Sequence, residues 1–285
     1  MRLRVMPDAV DGVLARGWLR PRVMATATYP AGDLEARSGR TAEPTLRLSR
    51  DIHADAIDAV LHELSEAGSL QGARLDIELA DALMHLDVVQ GDFAGDSDRG
   101  LHSVAVACMA ELLGDAAQGY EVRWQLQAGG THLLIGAIAI EMLRTLTDAA
   151  ARHGLRLRSV QPDFCLQWNR HSSALKPGPA VFAVACGREA VVACVSRGAI
   201  AEISSGGWLG RHAAANETSI GQPGSGFSAQ ADSTSGLLDT RVDRLLSSVG
   251  RDASNQSTFV LVVPVMSDPP VSSRWTVLKR EAYTQ

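Results

Sequence analysis

The feature that most constrains the fold of this chain is a run of three short strands that occurs twice. Residues 3–14 predict a hairpin, and residues 23–29 alternate apolar with polar side chains, as a half-buried third strand does. The same pattern returns later in the chain, where three more strands separated by tight turns are predicted at 180–186, 190–195 and 199–203. A repeated order of elements indicates duplication, although no residue-level repeat accompanies it.

A helix follows each of these two strand runs, the first beginning at Asp51 and ending at Gly68, the second spanning 237–249. Lys176-Pro177-Gly178-Pro179 is the best linker candidate. We therefore expect a first lobe at residues 1–178 and a smaller second lobe at 179–285. The Gly- and Ser-rich segment 209–236 is predicted to be a mobile loop, part of a longer loop from 204.

The rest of the first lobe alternates strand and helix patterns, which makes the chain an α/β protein. The outward arginines of the strand at 155–160 predict a sheet edge or a lobe boundary. Residues 31–47 have loop composition. Strands are predicted at 75–79, 83–89, 120–126 and 155–160, and helices at 101–113, at 133–153 and from Pro162 to His171.

Composition excludes several classes of function. The net charge of −5 and the 5% aromatic content do not fit a basic, base-stacking nucleic-acid surface. The sequence has no apolar run of the roughly 18 residues that would suggest a membrane span, and no signal-peptide core, which predicts a cytoplasmic protein. The cysteines show no C-x-x-C spacing and predict reduced, buried thiols: Cys108, Cys165, Cys186 and Cys194.

No intact catalytic or metal-binding motif is present. The sequence lacks a phosphate-binding P-loop, a dinucleotide fingerprint and a nucleophile elbow. His62-Glu63 opens like a zinc motif, but Glu66 stands where the second histidine is needed, so we expect a solvated helix face. For Asn169-Arg170-His171, a structural role in hydrogen bonding is favoured over a role in catalysis. A carboxylate pair for acid–base chemistry is conceivable among the acidic residues of two neighbouring strands: Asp76, Glu78, Asp81 and Asp87. Asp76 and Glu78 alternate with apolar residues, which instead favours the wet face of a half-buried sheet.

The element order resembles the actin-like (sugar kinase, Hsp70 and actin) fold, with two duplicated ribonuclease H-like βββαβαβα domains and a truncated second lobe. It is most similar to the type IV pilus assembly protein PilM and the cytoplasmic domain of the type II secretion protein GspL. The resemblance covers residues 1 to about 208. It rests on the opening hairpin, the strand at 23–30, the strand–Asp-Ala-Leu–strand segment at 75–89, the helix–Gly–strand at 153–157 and Ile203-Ser204-Ser205-Gly206-Gly207.

The sequence departs from the active members of this fold at their phosphate loops. Where the resemblance implies Asp-x-Gly in the first hairpin, this chain reads Arg4-Val5-Met6, and the second such place reads Ala185-Cys186-Gly187. Residues 266–270, which follow a predicted buried strand at 259–265, lack the Gly-Gly that the resemblance implies. Without these carboxylates a divalent metal has no evident ligands, and phosphoryl transfer depends on that metal. We therefore expect no catalytic residue, no metal, and neither ATPase nor kinase activity.

The resemblance implies a non-catalytic scaffold on the cytoplasmic side of the inner membrane, in a type IV pilus or type II secretion platform. Such a protein would bind the cytoplasmic segment of a membrane partner. Trp208, beside two glycines, is a candidate partner anchor or a closure of the cleft between lobes. Two alternatives stay open. One is ATP binding without hydrolysis through Gly187, Gly206 and Gly207. The other is a small-molecule enzyme using the carboxylates or the segment 169–171.

Overall fold

A computed structural model describes most of the chain. The described residues are 1–16, 22–30, 45–175, 178–186, 189–207, 232–248, 258–263 and 273–280. Within them, none of the helices combines the length and apolarity that crossing a lipid bilayer would require.

The elements of the first part of the chain are, in order, β1 (Arg2–Val5), β2 (Ala9–Arg16), β3 (Arg22–Pro30), α1 (Thr45–Glu66), β4 (Arg74–Leu79), β5 (Met84–Gln90), α2 (Asp98–Leu113), β6 (Tyr120–Leu126), β7 (His132–Ala139), α3 (Ile140–Arg152), β8 (Arg156–Pro162) and α4 (Asp163–His171). The second part contains β9 (Ala180–Cys186), β10 (Glu189–Ser196), β11 (Ala199–Gly207), α5 (Asp232–Ser248), β12 (Thr258–Val263) and β13 (Trp275–Lys279). Short 3₁₀ turns lie at Asp81–Leu83, Gly114–Gly119 and Ser172–Ala174.

The first sheet has the strand order β3-β2-β1-β4-β8, with β1, β4 and β8 parallel. Successive side chains of a strand point to opposite faces, so the alternation of β1 and β4 puts their apolar residues on one face. Leu3, Val5, Leu75 and Ile77 are fully buried there beneath α1 and α3. The predicted hairpin at 3–14 is confirmed, and β8 lies at the sheet edge, as its arginines predicted.

The second sheet repeats this topology, because its strand order β11-β10-β9-β12-β13 is that of the first sheet, position by position. In both sheets, the first two strand pairings in this order are antiparallel and the last two are parallel. The predicted duplication is therefore confirmed by the fold. Helix α5 covers one face of the second sheet through Leu238, Val242 and Leu246.

A third, small sheet of order β5-β7-β6 extends from the first part of the chain. Helix α2 packs on one of its faces through Leu101, Ala105 and Met109. The small sheet and α4 together cover the second face of the second sheet, where Phe164 contacts Phe182 edge to face with ring centroids 5.8 Å apart. One continuous core thereby links the first part of the chain to the second.

The single helix predicted at 133–153 is wrong. The structure divides this segment into strand β7 and helix α3. Because β7 is the middle strand of the small sheet and is buried on both faces, Leu133, Leu134 and Ile135 give a continuous apolar run without a strand period.

Other helix and strand boundaries differ from the predicted ones, because the capping and turn residues there indicate the ends only weakly. Helix α1 begins at Thr45 instead of Asp51, and α5 begins at Asp232 instead of 237. The predicted loop at 204–236 is wrong at both ends, because β11 continues to Gly207 and α5 begins at Asp232. Residues 208–231 lie outside the described residues. Three of the four cysteines are only partly buried, and all four are free thiols.

Candidate functional site

The two sheets meet at the carboxyl ends of the parallel strands of the first sheet. Each of β1, β4 and β8 leads there into a short turn or a helix: Met6-Pro7-Asp8, Ala80-Asp81 and Pro162-Asp163. The carboxyl ends of parallel strands are where α/β folds place ligands. The buried His53 of α1 donates from Nε2 to the Met6 carbonyl oxygen at 2.9 Å, which fixes the first of these turns.

The floor of this cleft is an ion-pair cluster of Arg4, Glu78, Asp163 and Arg280. Nε of Arg4 lies 2.9 Å from Oε1 of Glu78, and Nη2 of Arg4 lies 3.6 Å from Oδ2 of Asp163. Arg280, which follows β13 in the second sheet, binds the same Asp163 oxygen and donates to the Ala185 carbonyl oxygen at 2.7 Å. The cluster therefore ties the first sheet to the end of β9.

These charged groups are removed from water. Arg4 is 12% exposed, and the side chains of Glu78, Asp163 and Arg280 are at most 4% exposed. A buried charge is tolerated only when it is paired and hydrogen-bonded, so each arginine requires its carboxylates and the reverse. The prediction that Glu78 lies on a wet sheet face is wrong, because α4 and Arg280 cover this end of the sheet.

Asp81 stands next to the cluster and holds the start of α4. Both of its carboxylate oxygens lie 3.1 Å from the backbone nitrogen of Phe164, whose N–H donates to them. This nitrogen belongs to the first turn of α4, where backbone donors lack intrahelical partners. Burial raises the pKa of Asp81 to about 7, and the nearby Glu78 charge adds to this effect. Asp81 is 6% exposed, so this member of the predicted carboxylate group is buried.

Burial and the neighbouring Asp81 also raise the pKa of Asp163 well above its usual range. Gln167, one turn later in α4, donates to Oδ1 of Asp163 at 3.0 Å. Burial raises the pKa of the Cys186 thiol to about 12, so it stays protonated and is a poor nucleophile at neutral pH.

A small cavity of about 280 Å³, counting the space open to solvent, lies beside Asp81. Its lining includes Pro7, Asp81, Cys186, Glu189 and Ser205. Most of this volume is open solvent, and the enclosed space has room for about one water molecule. Among the described residues, no three His, Cys, Asp or Glu side chains converge as a metal site does.

The structure places Gly206 and Gly207 at the end of β11, opposite Ala190 and Glu189 of β10 in the antiparallel ladder. The Gly206 carbonyl oxygen accepts from Arg241 of α5 at 2.9 Å, and the same guanidinium reaches Ser204. These glycines therefore make ordinary sheet and side-chain contacts. Gly187 and Trp208 lie outside the described residues.

The other predicted carboxylates do not join the site. Asp76 faces the far end of the first sheet, where it accepts from Arg158 and Ser159, each at 2.6 Å. Asp87 accepts from the adjacent Val88 backbone at 2.7 Å. His62 and Glu66 are exposed on α1, as predicted.

Two members of the site were missed by sequence reasoning, Asp163 and Arg280. Asp163 had one usable signal, because it opens a predicted helix directly after a strand. Arg280 had none, since its position depends on the pairing of β13 with β12 at the end of the second sheet.

No family model and no curated protein matches this sequence. Several solved structures match the fold of this chain. The cytoplasmic domain of EpsL, an inner membrane component of the type II secretion system of Vibrio cholerae, matches with a TM-score of 0.51 at 11% identity, covering 100% of this chain and 85% of that chain. The PilM-PilN type IV pilus biogenesis complex matches with a TM-score of 0.56 at 15% identity, covering 92% and 80%.

A third structure, a protein of unknown function with an actin-like ATPase fold from Bacteroides thetaiotaomicron, matches with a TM-score of 0.50 at 10% identity, covering 93% of this chain and 81% of that chain. At these identities the likeness concerns the fold. The paired sheets of equal topology and the three matches lead to one conclusion: this chain has the two-lobed actin-like fold and resembles PilM and the GspL-type cytoplasmic domain.

Proposed function

We propose that this protein is a non-catalytic scaffold at the cytoplasmic face of the inner membrane, in a type IV pilus or type II secretion platform. It binds the cytoplasmic segment of a membrane partner. The observation that carries the proposal is Arg4. The resemblance implies a metal-holding aspartate in this hairpin, and the chain has instead a cation locked between Glu78 and Asp163.

A phosphoryl-transfer site requires a divalent metal that neutralises developing charge and positions the phosphates. The three carboxylates at the floor of the cleft are already engaged. Glu78 and Asp163 bind arginines, and Asp81 accepts the Phe164 amide. A metal bound there would have to displace these partners and would meet the repulsion of two guanidinium groups.

The proposal that this protein binds a membrane partner is supported by two of the matched structures. One was solved as a PilM-PilN complex, and the other is described as an inner membrane component of a secretion system. A protein of this fold whose two sheets are held together by ion pairs at the cleft floor is suited to present a fixed surface to such a partner.

Isothermal titration with ATP and magnesium, together with a phosphate-release assay, tests the catalytic half. We expect no turnover and no saturable magnesium-dependent ATP binding with a Kd of about 1 mM or below, which corresponds to a binding free energy of roughly −4 kcal/mol. Arg4→Asp, which restores the expected carboxylate, should also be inactive, because it adds a negative charge beside Glu78 and Asp163. Magnesium-dependent turnover by the wild type contradicts the proposal. Binding without turnover favours the nucleotide-holding alternative.

The partner half is tested with the neighbouring genes. If pilus or secretion components are encoded alongside, a peptide covering the cytoplasmic segment of the adjacent single-span membrane protein is titrated into this chain. We expect saturable binding, while a shuffled peptide of equal composition does not bind. Equal behaviour of the two peptides contradicts the proposal.

The carboxylate-enzyme alternative is favoured by one observation, the grouping of Glu78, Asp81 and Asp163. A carboxyl with a pKa near 7 beside a cavity is a common feature of acid–base catalysts. Here both Asp81 oxygens are occupied by the amide that begins α4, and the other two carboxylates are ion-paired. We therefore assign the group a structural role.

A further inference from the structure

The first sheet carries a row of arginines at the end opposite the cleft. Arg2, Arg74 and Arg156 are the first residues of β1, β4 and β8, and Arg22 is the first residue of β3. These four strands run in the same direction, so their first residues lie at one end of the sheet. Arg158 joins them at an irregularity in the β4–β8 pairing. We call these five residues the arginine rim.

The rim lies on the face of the sheet that α1 and α3 leave uncovered. Leu3 and Leu75 point into the core beneath those helices, and Leu157 packs against it. Because side chains alternate along a strand, Arg2, Arg74 and Arg156 point the opposite way. The five rim residues are all exposed, and the Arg158 side chain is 59% exposed.

The rim concentrates positive charge in a chain whose net charge is −5. Arg74 and Arg156 are direct partners in the β4–β8 ladder, an arrangement that is unfavourable for like charges unless an anion compensates it. Asp76, on the same strand as Arg74, already accepts a hydrogen bond from Arg158 at 2.6 Å. The direct pairing of Arg74 with Arg156 therefore points to an anionic ligand.

We propose that the arginine rim binds the anionic phospholipid headgroups of a bilayer. The proposal rests on the proposed function, which places the protein at a membrane. The rim crosses all five strands, a width of about 19 Å at about 4.8 Å per strand spacing, so it can contact several lipid headgroups at once. Met24, on β3 near Arg22, is 50% exposed and supplies an apolar side chain for the interface. Guanidinium groups bind phosphate oxygens in a bidentate manner.

Flotation of the full chain with vesicles tests the proposal. One set of vesicles is phosphatidylcholine alone, and the other contains about one third phosphatidylglycerol, which gives a negative surface potential. The rim variant is Arg74→Glu with Arg156→Glu. The control is Arg123→Glu with Arg144→Glu, which makes the same change in net charge at exposed arginines that pair with Glu121 and Glu141 on other elements.

We expect the wild type and the control to bind the anionic vesicles only, and the rim variant to bind them about tenfold more weakly. Raising the salt concentration from roughly 0.1 to 0.5 M should release the wild type. Circular dichroism and the melting temperature verify that the variants are folded.

Two outcomes overturn the proposal. If the wild type fails to bind anionic vesicles, the rim serves an acidic protein segment or protects the sheet edge. If rim and control variants weaken binding equally, net charge and not the rim is responsible. Peptide binding in the previous test is measured without lipid, so a failure here with peptide binding intact rejects the rim and leaves the scaffold function standing.

Discussion

At the scale of single residues, Arg4 is central to the ion-pair cluster, because it contacts both of the cluster's carboxylates. It stands on β1 at the floor of the cleft, where the resemblance to active members of the fold implies an aspartate. Because its side chain is 12% exposed and contacts Glu78 and Asp163, it is part of the core as well as of the site.

Removing this cation leaves two buried carboxylates with fewer partners. We expect Arg4→Met to lower the free energy of unfolding by about 3–5 kcal/mol, the usual cost of breaking a buried ion pair from one side. Urea denaturation measures it. Arg123→Met is the control, since Arg123 is 78% exposed, and it should change stability by less than about 0.5 kcal/mol. Equal effects of the two substitutions would show that the cluster does not contribute to folding.

Asp81 gives the cluster a pH dependence. Burial raises its pKa to about 7. An unfolded aspartate titrates at about 3.9, so the folded state binds the extra proton between these values. The stability from this group is fully present below about pH 4 and is lost as the pH rises through about 7.

The substitution Asp81→Asn removes the titrating group and keeps a side-chain oxygen that can accept the Phe164 N–H. We therefore expect the melting temperature of Asp81→Asn to rise relative to the wild type as the pH increases from about 5 to 8. Differential scanning fluorimetry of both proteins across this range measures the difference. If the difference in melting temperature between the two proteins stays constant with pH, Asp81 does not titrate in this range in the folded protein.

At the scale of elements, the packing of α1 on the first sheet depends on the small size of Gly12 in β2. A Cβ atom there would lie 2.4 Å from Cγ1 of Val60 and 2.7 Å from Cδ1 of Leu64, both on α1. Real Cβ atoms do not approach so closely, so the helix or the strand would have to move.

We expect Gly12→Ala to destabilise the protein by about 1–3 kcal/mol, the range for overpacking a filled core. Gly95→Ala is the matched control, because a Cβ at Gly95 meets nothing within 4 Å. Chemical denaturation of both variants gives the comparison. A neutral Gly12→Ala would mean that α1 shifts at little cost.

At the scale of the whole molecule, polar side chains attach the small sheet to the second sheet. Gln127, next to β6, donates from Nε2 to the Ile200 carbonyl oxygen at 2.9 Å, and its Oε1 accepts from the Ile200 N–H at 2.7 Å. Gln90 of β5 donates to the Ala201 carbonyl oxygen at 3.2 Å. The Gln127 amide thus pairs with β11 as a neighbouring backbone would.

Without this amide, the Ile200 N–H and carbonyl lose their partner. We expect Gln127→Ala to cost about 1–3 kcal/mol and to accelerate hydrogen exchange at the Ile200 amide. Gln125→Ala, on the exposed side of β6, is the control. Unchanged exchange at Ile200 in Gln127→Ala would show that the two sheets hold together through their apolar contacts alone.

The sequence by itself determined the elements whose signals are local. Alternation over 3–14 and 75–79 predicted strands, and the arginines of β8 predicted a sheet edge, because a half-buried strand shows its two faces directly in its residues. Arg4 was also identified from the sequence, because the resemblance to the actin-like fold implies an aspartate at this place in the first hairpin.

Only the tertiary structure decided what Arg4 does. Its partners Glu78, Asp163 and Arg280 come from strands and a helix far apart in the chain, and no local pattern relates them. Strand β7 was misread for a related reason, because burial on both faces removes the period that identifies a strand. Local patterns report one face of one element, whereas the cluster exists only where two sheets exclude water together.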